Sequence, residues 1–160
     1  YSSNSLVLYP TLIKKIVVNK ANPKYCSKDN TLFSKDMTTL YQIAADNQTI
    51  DYIVPKEVKR IAHGAFMRHT LTTLEYFNVT INHDMESIDD AAFYKSDIGS
   101  ITINSHIKRI GKYAFSQTQL YEFICNGTID SLESHALPYK KILTKLVLPD
   151  SFRLDPSVFS

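Results

Sequence analysis

Ile88-Asp-Asp-Ala-Ala-Phe93 decides the fold of this chain because it returns at a fixed interval, as Ile110-Gly-Lys-Tyr-Ala-Phe115 and as Leu132-Glu-Ser-His-Ala-Leu137. Phe93 and Phe115 stand 22 residues apart, Phe115 and Leu137 stand 22 apart, and a further 22 reaches Phe159, with Leu154 five before it and Val158 in place of the Ala. Upstream, Ile61-Ala-His-Gly-Ala-Phe66 is the same word, 27 residues before Phe93. Self-similarity at a period of ~20–50 residues marks stacked repeats, in which each unit buries its apolar face only against its neighbours.

Working outward from the anchor residues gives a template. Fourteen and twelve positions before each anchor stand Tyr52 and Val54, Val79 and Ile81, Ile101 and Ile103, and Phe123 and Cys125. Apolar residues two apart predict a short strand with one inward face. Further inward positions follow at Val58, Met85, Ile107 and Ile129, and, past the anchor, at Leu71, Ile98, Leu120 and Ile142. The five extra residues between Phe66 and Phe93 require a bulged loop within Leu71–Phe77. Leu146 and Leu148 come one place late, which predicts a one-residue slip in the last loop. Residues 19–49 break the period. There Asn22-Pro23 and Lys28-Asp29-Asn30 are turn chemistry, and Thr31–Ser34 and Thr39–Ile43 flank Lys35–Thr38 as a β-hairpin inserted into the array. Before the break, Tyr1–Leu8 reads as the tail of a repeat, with Ile13, Ile16 and Val18 in the places of Ile98, Ile101 and Ile103.

The dialect of the repeat is specific. Tyr52-Ile-Val-Pro-Lys-Glu-Val-Lys-Arg-Ile-Ala-His-Gly-Ala-Phe66 resembles the I-x-I-P-x-x-V-x-x-I-G-x-x-A-F frame of BspA-like leucine-rich repeats, and Asn22-Pro-Lys-Tyr-Cys-Ser-Lys-Asp-Asn-Thr-Leu-Phe-Ser-Lys-Asp36 resembles the insert found between repeats in that family. Asn30 departs from the insert's Gly, and the Cys usually placed after Ala-Phe is absent. The fold expected is mainly β: a leucine-rich-repeat solenoid of short parallel strands, one domain over 1–160, with an irregular insert at 19–49 and regular repeats over 50–160. The resemblance implies a secreted or cell-surface, adhesin-type role, with a host extracellular-matrix or cell-surface protein as partner. An intracellular or structural scaffold with no host ligand is the alternative. The start at Tyr1 and the break of the pattern at both ends lead us to expect a fragment of a longer array, its open ends available for self-association.

Composition narrows the field. A net charge of +2 from 18 basic and 16 acidic residues, dispersed along the chain, is not the footprint of nucleic-acid binding. No apolar run reaches the ~18 residues of a membrane span. Five histidines fall at unrelated template positions without HxH or HxxxH pairs, four glycines form no phosphate loop, and no nucleophile sits in a recognisable setting, so neither catalysis nor a metal or other cofactor is expected. Cys26 and Cys125 are expected as a loop thiol and a buried thiol.

Binding therefore falls to the surfaces. Residues between the inward strand positions should form one outward sheet face: Ile53 with Pro55, Asn78 and Thr80, Ser100 and Thr102, Glu122 and Ile124, and Lys145 and Val147. The competing surface is the insert, with Phe33, Met37 and Tyr41 exposed in part. Asn47, Asn78 and Asn126 begin N-x-T sequons and are candidate glycan acceptors, Asn47 foremost. Asn82, Asn104 and Asn126 share one template position, which favours a side-chain ladder for Asn126. Lys59, Glu86, Lys108 and Asp130 also share a position and alternate in sign, as interlocking surface pairs would.

Overall fold

The computed structural model describes residues 13–160. Within them run β1 (Tyr25–Lys28), β2 (Thr31–Ser34), β3 (Thr39–Ile43), β4 (Asp51–Ile53), β5 (Arg60–Ile61), β6 (Phe77–Ile81), β7 (Met85–Ile88), β8 (Ile98–Ile103), β9 (His106–Ile110), β10 (Glu122–Cys125), β11 (Thr128–Leu132) and β12 (Lys145–Val147), then a 3-10 turn at Pro156–Val158. Two sheets result. One has the order β1-β2-β3-β5-β7-β9-β11 and the other β12-β10-β8-β6-β4. Each regular turn gives one strand to each sheet, so sequence neighbours separate and strands one repeat apart pair in parallel. This is the solenoid expected.

Register follows the spacing of the word. Val79 pairs with Ile101 and Phe123 with Ile101, 22 residues apart in both cases. Tyr52 pairs with Val79, 27 apart, because Leu71 (buried) and Phe77 (buried) bracket the extra loop. Phe123 pairs with Leu146, 23 apart, which is the one-residue slip. Leu143, not Ile142, packs on the core there. At the end of the array Leu137 bridges Phe159 in parallel, again 22 apart. Val158 is buried, while Phe159 is only partly covered and lies under the Lys140 ammonium, 5.2 Å from the ring centroid. Leu154, expected inward, is 38% exposed, and residues 150–154, which stand where β11 lies one repeat earlier, form no strand.

The anchors form the spine of the core. Phe66 and Phe93 stack at 4.6 Å, and Phe93 and Phe115 at 5.1 Å, each pair 15° from parallel. Outside the sheets the turns remain hydrogen-bonded to one another: Phe66 N–H donates to the Ala92 carbonyl, Phe93 to Ala114, Phe115 to Ala136 and Leu137 to Val158. The chain corners there by taking positive φ two residues before the anchor, at Gly64 (69°), Ala91 (54°), Tyr113 (60°) and His135 (60°). Three residues after the anchor, where the family places Cys, stand three buried polar residues, His69, Ser96 and Thr118. His69 packs against the Phe66 and Phe77 rings. Burial there pushes its pKa down to about 4, against a weaker upward pull from a hydrogen bond to the Asn47 backbone.

The irregular segment is a three-stranded antiparallel meander in which β1 joins the expected hairpin. Its tight turn, Asp29-Asn30, has φ of 50° and 55°, the pair of positive values that a two-residue hairpin turn of this hand demands. Cys26 accordingly lies on a strand rather than in a loop, and Cys125 is buried. The β3 edge then receives β5 in parallel, which joins the meander to the coil. Tyr1–Leu8 lies outside the described residues. Ile13, Ile16 and Val18 do not form the ladder expected of them: Ile13 is 51% exposed, and the stretch is extended but assigned to no strand. Its backbone is held by Asn30 Oδ1 and Ser27 Oγ of the meander, and its Ile13 and Lys14 carbonyls accept from the Ala45 and Asp46 amides.

Candidate protein-binding face

Parallel pairing in the five-stranded sheet turns its outward residues into two straight rows. Asp51, Asn78, Ser100, Glu122 and Lys145 form one, and Ile53, Thr80, Thr102, Ile124 and Val147 the other. Ile53 and the predicted residues from Asn78 to Val147 stand in these rows, whereas Pro55 lies beyond β4 and Asp51 takes the place beside Asn78. Alternation explains it: the residues between them, from Tyr52 to Phe123, face the core and are buried. Thr80, Ser100 and Thr102 are half-buried by one another, Lys145 is exposed, and Ile53 stands out at 63% exposure. The first row is cross-linked at one end, where Asn78 Nδ2 donates to Asp51 Oδ1 at 3.0 Å and Ser100 Oγ donates to Asn78 Oδ1 at 2.8 Å. Along the downstream border runs the asparagine ladder: Asn126 Nδ2 donates to Asn104 Oδ1 at 2.9 Å, and Asn104 Nδ2 to Asn82 Oδ1 at 2.8 Å. Along the upstream border stand Tyr76 and Tyr121, which the sequence reading did not single out. The loop length carried a signal, since extra residues beside a sheet must lie over something.

The insert surface differs from its prediction. Phe33 is 1% exposed, because its β2 position faces the solenoid core and is sealed by the first coil. Met37, at φ 63°, packs partly on the core, and Tyr41 is half-buried, edge-on to Tyr25. A cleft of about 410 Å³ lies where the insert meets the sheet face, lined by Phe33 and Asn47 on one side and Ile53 and Pro55 on the other.

Asn47 is not the exposed acceptor expected of a polar connector. It is 6% exposed, its Nδ2 donates to the Asp29 carbonyl at 2.8 Å, and its Oδ1 accepts from Thr49 N–H. The side chain thus braces the meander's turn. Asn78 is committed within the face, and Asn126 is exposed at the end of the ladder.

Charges on the seven-stranded sheet form pairs rather than a vacant site. Of the alternating column only Lys108 and Glu86 meet, at 3.1 Å; Lys59 reaches the Asp84 carbonyl and Asp130 turns to His106. Arg109 is clamped by Asp90 at 2.5 Å and Glu133 at 2.7 Å, which holds its guanidinium firmly charged. Among the described residues no three His, Cys, Asp or Glu side chains converge to hold a metal ion, and no helix is long and apolar enough to cross a membrane.

Comparison with known proteins agrees with this architecture. A family model described as BspA type leucine rich repeat region matches residues 25–160, in six copies. No curated protein matches the chain. Among solved structures, the crystal structure of the pneumococcal vaccine antigen PcpA is similar, with a TM-score of 0.50 and 20% identity over 91% of this chain and 44% of that one. The likeness is one of fold, and this chain spans less than half the length of that structure.

Proposed function

We propose that this chain, which belongs to the BspA-type leucine-rich-repeat family, is a non-enzymatic protein-binding module of the cell surface or extracellular space, an adhesin contacting host matrix or surface proteins. Its binding surface is the outward face of the five-stranded sheet. The observation that carries this reading is the pair of in-register rows, whose centre is Thr80, Ser100 and Thr102, small, hydroxylated and uncharged. Such a surface lets a partner approach the backbone closely without desolvating a charge, and interface cores are depleted of charge for that reason. Ile53 and Ile124 supply apolar spots at either side. Extended faces of this kind are what stacked repeats present to partners.

The test is a binding panel of immobilised extracellular-matrix proteins, repeated with Thr80→Arg, Thr102→Arg and Ile124→Glu. Loss of binding in these variants, with circular dichroism unchanged, is the expected result. Unchanged binding would transfer the role to the insert around Met37 and Tyr41, and a protein located in the cytosol would end the adhesin reading.

A further inference from the structure

We infer that the upstream edge of the sheet face is a slot for a cationic side chain, arginine or lysine, of a protein partner. This rests on the reading of that face as the binding surface, and adds the chemistry of the contact. Tyr76 and Tyr121 close over Gly99, where a Cβ would stand 2.8 Å from Tyr76 Cβ and 2.8 Å from Tyr121 Cε1. Only glycine lets the two rings meet above the strand. Their centroids are 6.5 Å apart with planes 59° apart, and the residues remain 46% and 38% exposed. Gly99 is also where the register slips between Phe77 and Asn78, so the extra residue of β8 creates the seat.

An acidic residue adjoins this aromatic pair in the register. Glu122 follows Tyr121 in sequence and pairs with Ser100, the residue after Gly99. The side chains of Asp51, Asn78 and Ser100 are linked to one another, but among the described residues the Glu122 carboxylate has no hydrogen-bonding or ionic partner. Lys145, its register neighbour, is exposed and forms no ion pair with it. Part-exposed aromatic rings attract a cation through their quadrupoles, and the carboxylate of the residue that follows Tyr121 would add a charge-assisted hydrogen bond. A neutral sugar would gain the stacking and leave the carboxylate unmatched, so the cation is the better complement.

The experiment follows the amide resonances of Gly99 and Tyr121 while the protein is titrated with Ac-Gly-Arg-Gly-NH2, Ac-Gly-Gln-Gly-NH2 and methyl glucoside. Saturable shifts are expected with the arginine peptide and much weaker ones with the other two. Glu122→Gln should weaken the arginine peptide about 2–5-fold and Tyr121→Ala by a similar factor. Lys145→Ala should tighten it, because a competing cation is removed. Equal shifts with the glutamine peptide, preference for the glucoside, absence of shifts, or weakening in Lys145→Ala would each overturn the slot. A matrix protein lost on Thr102→Arg but indifferent to Glu122→Gln and Tyr121→Ala would overturn the slot alone; indifference to all three would remove the face reading as well.

Discussion

The regular coils from β6 to β11 and the meander from β1 to β3 solve the same burial problem by different means. In the coils each side chain meets its counterpart 22 residues away, so Phe lies on Phe, Asn on Asn and Thr beside Thr. In the meander nothing repeats, and single side chains do the bracing: Asn47 on the Asp29 carbonyl, Asp36 on Thr38, Asn22 on the Lys24 and Tyr25 amides. Columns are cooperative and hard to breach at one point, whereas the meander depends on a few polar contacts, each replaceable by none other nearby.

Phe93→Ala should break the difference most severely. It removes the middle of the Phe66–Phe93–Phe115 stack, and a buried Phe→Ala costs about 3–5 kcal/mol; urea unfolding should lose its single sharp transition or shift its midpoint far down. Acid comes next. Burial pushes the His69 pKa down to about 4, below the ordinary 6.5, so the stability linked to this group is fully present above about pH 6.5. It weakens as pH falls toward about 4, where the unfolded chain takes up a proton that the folded one refuses. The loss approaches about 3 kcal/mol. His69→Ser, which copies the Ser96 column, should flatten that slope in thermal melts at pH 7 and pH 4.5, and an unchanged slope would locate the acid sensitivity elsewhere. Asn47→Ala should cost about 0.5–1.5 kcal/mol, the net worth of the hydrogen bond it gives the Asp29 carbonyl, which keeps only its weaker bond from Thr31 Oγ1. Hydrogen exchange should report it in β1 and β2 while the Phe93 amide stays protected; equal loss in both regions would erase the contrast. Smallest is the exposed Lys108–Glu86 pair, where Lys108→Ala should change stability by ~0.2–1 kcal/mol, fading with salt.

What the sequence made legible follows the same division. The anchors, strand positions, asparagine ladder, bulged loop and one-residue slip were all readable, because a column repeats its environment and therefore its residue type. Phe33, Asn47 and β1 were not. Phe33 carries the same letter whether its strand faces solvent or the first coil, and Asn47 looks like any connector residue until Asp29 is brought under it. Alternation put Ile53 and the residues from Asn78 to Val147 in the outward rows but took Pro55 for Asp51, and Tyr76 and Tyr121 escaped because they flank the strands instead of lying in them. Their meeting depends on Gly99, whose small size reads as mere turn chemistry in one dimension.

The hydrogen bonds that link corner to corner, from Phe66 to Ala92 and onward to Val158, also set how the molecule answers a pull. A pull on its two ends would load the coil along its stack, where each turn is fastened to the next by both sheets and by these corner bonds. Such a coil yields in discrete releases of one turn, about 75 Å of contour for 22 residues at ~3.4 Å each. The 27-residue turn gives a longer step, so the tether would lengthen in counted increments while the turns behind each break stay closed.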